Sequence, residues 1–366
     1  GDVYKRQAYD NYWLANPYLK GIKEGIYTDK ELNEKVRRVL RLTFRTAMNN
    51  DRPWGSMVSD AHKTACRKIG EEGIVLLQNN ANLLPINLSK VKRIAVIGEN
   101  AIKMMTVGGG SSSLKVKYEV TPLEGLKKRI GKQAEIIYAR GYVGDPTGEY
   151  NGVKTGQNLK DDRSPKELRT EAFQVASNAD IVLFIGGLNK SEYQDCEGTD
   201  RKTMDLPYNQ NELIMDLLQV NKKLVVINIS GTGVAMPWKN HVSTILQAWY
   251  LGSETGNALA SILMGDVNPS GKLPYTYYAC PDQCGAHKLG EYPGHKGMDV
   301  LGNEVYDIPY NEGLFVGYRF IDKNKLKPNF PFGHGLSYTT FEYGKAKVNS
   351  KAIEKSEKLG NYIQSY

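Results

Sequence analysis

Five short runs rich in Val, Ile, Leu and Phe, set between stretches of helical character, constrain this 366-residue chain most. They are Arg93 to Gly98, Glu135 to Ala139, Asp180 to Gly187, Lys223 to Ser230 and Ser243 to Trp249. Helices are expected at Pro122 to Ile130, Pro165 to Asn178, Asn209 to Val220 and Glu254 to Met264. Near-continuous apolar runs, as opposed to strict apolar–polar alternation, mark strands buried on both faces. Strands that alternate with helices imply an α/β fold, with a mostly parallel sheet sandwiched by helices. At 40% hydrophobic residues the chain has ample material for such a core.

The flanks read differently. Gly1 to Gln7 follows no periodic pattern and is expected to be a non-native scar. Asp10 to Glu24 and a second segment capped by Thr28 or Asp29 read as two helices, the latter with Leu32, Val36, Val39, Leu40 and Phe44 on one face. No strand accompanies them, so residues 8–48 look like the end of a larger domain, followed by a linker over 49–58. Ser59 or Asp60 caps a helix expected to run to about Leu77. The α/β domain is placed over 59–338, with Tyr142 to Asp162 a long loop, Lys272 to Tyr278 an edge strand and Cys280 to Tyr306 irregular. Thr339 to Val348 alternates like the first strand of a further β domain, and Lys351 to Tyr366 is a polar tail.

Composition excludes several functions. The net charge of +8 comes from 48 basic and 40 acidic residues. The basic residues are scattered, whereas a nucleic-acid binder gathers them on one face. No apolar run reaches the length of a membrane span. Cys280, Cys284, His287 and His295 match no common zinc spacing, so no metal is expected and the segment reads as a surface loop. Val107 to Ser113 is Gly- and Ser-rich but has neither phosphate-binding glycine pattern. Ser230-Gly231-Thr232-Gly233 has no nucleophile-elbow form, which removes serine hydrolase chemistry.

The sharpest candidate lies after the third strand. The loop Leu188-Asn189 to Leu206-Pro207 carries Glu192 and Glu197 at the point where α/β folds place ligand chemistry, the carboxyl end of a buried strand. A general acid needs a pKa raised by apolar surroundings or by a second carboxylate. Asp195, Asp200 or Glu192 could supply that like charge to Glu197, and Arg201 would oppose it. On a polar loop the plain alternative is a solvated surface carboxylate.

Several motifs in one order resemble the second domain of family 3 glycoside hydrolases. They are Val75-Leu76-Leu77-Gln78-Asn79, Leu84-Pro85-Ile86, Ile94-Ala95-Val96-Ile97-Gly98 and Thr121-Pro122-Leu123-Glu124-Gly125-Leu126. Glu197-Gly198, Asp200-Arg201, Leu206-Pro207 and Gln210 follow, then Gly252 with Gly256-Asn257-Ala258-Leu259-Ala260. The most specific run is Gly265-Asp266-Val267-Asn268-Pro269-Ser270-Gly271-Lys272-Leu273-Pro274, and Phe332 to Thr339 closes the set.

The resemblance implies a parent with a (β/α)8-type barrel, an α/β sandwich and a fibronectin-like domain. Residues 8–48 would be the barrel's last helices, and 339–366 the start of the third domain. It implies retaining hydrolysis that releases β-linked glucose or a similar sugar from non-reducing ends. Glu197 would be the general acid/base, with Glu192 the second choice. The nucleophile is an Asp of the barrel, outside this chain, so the isolated chain is expected to be nearly inactive. The implied partners are a β-glycoside or oligosaccharide and the barrel domain. No cofactor is implied, and the implied location is periplasmic or secreted. A noncatalytic carbohydrate-binding or scaffolding module is the alternative.

Overall fold

The computed structural model describes residues 16–106, 108, 111, 115–146, 149–150, 153–298 and 304–346. The expected scar and the polar tail lie outside them. The chain divides into two compact units between Met57 and Val58.

The first unit holds α1 (Asn16–Lys23) and α2 (Asp29–Arg45). A capping box starts α2: the Thr28 backbone N–H donates to Glu31 at 2.7 Å. The apolar stripe expected on it forms, but Val36, Val39, Leu40 and Phe44 are all exposed and α2 buries no residue.

In the second unit, α3 (Asp60–Gly73) is capped by Ser59, whose Oγ accepts from the His62 N–H at 3.3 Å. It stops earlier than expected. Ile74 is already extended, and Val75–Asn79 forms β1. The physical reason is burial: Ile74, Val75, Leu76 and Leu77 are all sealed in the core, which a strand with two covered faces permits and an amphipathic surface helix does not.

The remaining elements follow as β2 (Arg93–Ile97), α4 (Pro122–Ile130), β3 (Glu135–Ala139), the short hairpin β4 (Glu149–Tyr150) and β5 (Val153–Lys154), and α5 (Pro165–Ser177). Next come β6 (Ile181–Gly187), α6 (Gln210–Val220), β7 (Leu224–Ile229), β8 (Thr244–Gln247) and α7 (Thr255–Met264). The five expected strands and four expected helices of the sheet are thus present within two residues at each end.

Beyond α7 the structure departs from expectation. Lys272 to Tyr278 forms no strand; a single antiparallel bridge joins Tyr277 to Phe330. The segment expected to be irregular folds into α8 (Gly285–Lys288) and a hairpin of β9 (His295–Met298) with β10 (Glu304–Asp307), and α9 (Tyr318–Lys323) follows. Residues 339–346 carry no strand, and the rest of the expected one lies outside the described residues.

The main sheet has the order β1-β8-β7-β6-β2-β3. All neighbours are parallel except β1 and β8, so the sheet is mostly parallel with one antiparallel edge. Alternate residues serve two cores. Ala95, Ile97, Val182, Phe184 and Val226 pack with Ala172, Leu213 and Leu217 of α5 and α6. Ile94, Val96, Leu183, Ile185 and Ile227 pack with Leu126, Ala258, Leu259 and Ile262 of α4 and α7. The chain runs from β2 outward to β3, then returns to the other side of β2 as β6. The carboxyl ends of β2 and β6 therefore diverge at a topological switch point, where such folds open a ligand crevice.

Candidate active site

Glycines let the chain leave the sheet at that crevice. Gly98 and Gly187, at the ends of β2 and β6, have φ of 118° and 126°. A side chain at either would also collide with the backbone of the neighbouring strand, at Ile185 and Ile229 respectively. The two exits are tied together, since Asn100 Nδ2 donates to the Leu188 carbonyl at 3.0 Å.

The loop after β6 is pinned at its base by a buried amide. Gln210 accepts from the Gly187 N–H and donates back to the Gly187 carbonyl, both at 2.8 Å. Between these points Asp195 fastens it to two neighbouring strand ends. Its carboxylate accepts from the Gly231 N–H at 2.7 Å, Thr232 Oγ1 at 2.7 Å and Tyr250 OH at 2.8 Å. Arg201 donates through Nη2 to the Gly233 carbonyl at 2.6 Å. Asp200 accepts from Tyr292 OH at 2.5 Å, which pushes the Tyr292 phenol up to about 12.

These contacts enclose an open cavity of about 680 Å³. Glu197 lines it beside Asp195, Asp200, Lys190, Arg201 and Tyr250. The volume falls within the range of small-molecule sites. Lys190 sits 3.4 Å from the centroid of the Tyr250 ring, and burial lowers its pKa against the pull of Asp195. Glu192 is exposed and does not line the cavity.

Glu197 itself is exposed, and Ser111 donates to its carboxylate. The Ser111 side chain first, and its backbone N–H second, hold the Glu197 pKa below the ordinary range. In this chain Glu197 is therefore an ionised carboxylate, which can accept a proton but is not poised to give one at neutral pH.

A second group was not anticipated from the sequence. Directly after β2, the buried Glu99 carboxylate accepts from Arg140 Nη2 at 2.7 Å and from the Gly144 N–H at 2.6 Å, with Lys103 Nζ 3.5 Å away. Lys103 also donates to the Asp145 carbonyl at 2.5 Å, and the Asp145 carboxylate accepts from Ser191 Oγ of the site loop at 2.6 Å. The network thus underpins the loop from below. Its signal in the sequence is the charged residue that follows Ile97-Gly98 at the switch point.

A carboxylate-bearing loop over the switch point of an open α/β sheet stands where such folds place small-molecule sites. Residues 74–338 match the family described as the Glycosyl hydrolase family 3 C-terminal domain, and the chain belongs to that glycoside hydrolase family. It is 45% identical over 354 residues to Beta-glucosidase BoGH3A of Bacteroides ovatus, covering 94% of this chain and 45% of that one. It is 36% identical over 335 residues to Thermostable beta-glucosidase B of Acetivibrio thermocellus, covering 92% and 40%. The solved GH3 beta-glucosidase of Bifidobacterium adolescentis superposes with a TM-score of 0.75 at 29% identity, covering 93% of this chain and 46% of that one. The chain spans about half the length of the curated relatives it matches. Among the described residues no helix is long and apolar enough to cross a membrane.

Proposed function

We propose that this chain supplies the acid/base half of a retaining β-glycosidase site, with Glu197 as the proton donor and acceptor. The observation that carries this is the position of Glu197: it lies on the loop leaving β6 at the switch point and lines the 680 Å³ cavity. Glu192 is the weaker choice because it does not line that cavity. The nucleophile is a carboxylate of a barrel domain outside this chain, and the exposed apolar stripe of α2 supports reading the first unit as the end of that barrel. A periplasmic or secreted location belongs to the same proposal.

The low pKa of Glu197 fits a half-site. Retaining hydrolysis places two carboxyl groups about 5–5.5 Å apart. A second carboxylate at that range disfavours the charged form of the first and raises its pKa into the range of a general acid. In the first step the protonated Glu197 gives its proton to the leaving oxygen while the nucleophile bonds to the anomeric carbon. In the second step Glu197 takes a proton from water as that water displaces the nucleophile.

The test uses this chain joined to the N-terminal half of the Bacteroides ovatus relative. Glu197→Ala is expected to lose about 10²–10⁴-fold in kcat/KM on an aryl β-glucoside with a poor leaving group. With a dinitrophenyl leaving group, which departs without a proton, the loss should be under about tenfold. Equal losses on both substrates would remove Glu197 from the acid/base role.

A further inference from the structure

A second cavity, of about 590 Å³, adjoins the first, and the two share Gly231 and Thr232 as a common wall. Its lining is mainly aromatic: Tyr275, Tyr278, Tyr318 and Phe332. Tyr318 and Phe332 are 42% and 53% exposed, so two large rings stand in water beside a concave surface. Their centroids are 5.4 Å apart at an interplanar angle of 32°, which presents a bent platform and not a closed stack.

Polar groups without partners lie in the same wall. Thr276 is buried, and its Oγ1 has no hydrogen-bond partner among the described residues; the same holds for Tyr275 OH. Buried polar atoms are rarely left unpaired, because their lost hydration is then not replaced. Behind the rings the wall is firm. Tyr275 packs edge-on against Trp249 and stacks on Tyr277, each at 5.9 Å.

We infer that this groove binds the sugar units on the leaving-group side of the scissile bond, so that the preferred substrates are oligosaccharides of three or more β-linked pyranose units. The inference rests on the glycosidase reading of the adjoining cavity. Pyranose rings with equatorial hydroxyls present apolar C–H faces to aromatic rings and hydroxyls to polar atoms, and the groove offers both. A purely apolar segment would leave the hydroxyls of Tyr275 and Thr276 unpaired. The two cavities adjoin at Gly231 and Thr232, which sets the platform beside the Glu197 cavity. A sugar whose non-reducing end enters the first cavity then extends its remaining units over Tyr318 and Phe332.

The test is a titration of the whole 366-residue chain with methyl β-glucoside, cellotriose and xylotriose, followed by calorimetry and ligand-observed NMR. At least one trisaccharide is expected to bind about tenfold or more tightly than the monosaccharide. Tyr318→Ala and Phe332→Ala should each weaken that trisaccharide by about five- to tenfold and leave methyl β-glucoside unchanged. Tyr318→Phe and Phe332→Tyr should retain the affinity, which separates stacking from misfolding. Equal binding of one and three rings, or trisaccharide affinity untouched by both alanine variants, overturns the inference. So does loss of self-association in Phe332→Ala with no change in sugar binding, since the platform is then a contact between copies. If trisaccharide binding behaves as expected while the Glu197 leaving-group test fails, the groove is a sugar site but its assignment to the leaving-group side falls with the catalytic reading; the opposite pattern removes the groove alone.

Discussion

At the scale of single residues, the site turns on what surrounds a carboxylate. Glu197 and Asp195 lie two positions apart, yet their roles differ. Asp195 spends both oxygens on Gly231, Thr232 and Tyr250, and so acts as a fastener of the loop. Among the described residues Glu197 accepts from Ser111, and it lines the cavity. Ser111→Ala removes the side-chain donor that lowers the Glu197 pKa most, so the pKa should rise toward the ordinary glutamate value. Carboxyl-carbon NMR titration of the chain checks this, and an unchanged or lower pKa contradicts it. The place of Glu197 on a loop after a buried strand was legible from the sequence. Asp195's partners were not, because Gly231, Thr232 and Tyr250 come from other strand ends and only the folded sheet brings them near. Glu99 was missed for a related reason. A lone Glu after a glycine looks like a surface residue until Arg140 and Lys103 close around it in the interior.

At the scale of elements, the sheet rests on helix layers that approach it closely. Gly125 of α4 and Gly256 of α7 meet where a Cβ on either would strike the other segment's backbone. Gly256→Val should therefore cost about 2–3 kcal/mol by urea unfolding, because neither backbone can move away from a buried contact without opening the core. A cost below about 0.5 kcal/mol would show that α4 and α7 are not packed this tightly. The parallel strands were readable because burial on both faces makes them apolar throughout, as in Ile181–Gly187. The strand β1 was concealed because Val75-Leu76-Leu77 directly continues the helix before it, and a short apolar run has no period that separates helix from strand. Lys272 to Tyr278 reads as a strand by alternation but finds no continuous partner; its backbone pairs piecemeal with Phe330, Gly333 and His334. The hairpin β9–β10 is composed of exposed and half-buried residues, so it carries no hydrophobic pattern to read.

At the scale of the whole molecule, the described residues set Glu197 on a loop at the switch-point crevice, and the proposed function draws the second carboxylate from a barrel domain. The family is shown over residues 74–338, and the chain spans about half the length of the curated relatives it matches. The most direct measurement is turnover of 4-nitrophenyl β-glucoside by the chain alone and by the same chain joined to the N-terminal half of the Bacteroides ovatus relative. The account predicts a rate near that of buffer for the chain alone and sustained turnover for the joined protein. Comparable turnover by the chain alone would mean that a complete catalytic pair already lies within these 366 residues, and would contradict it.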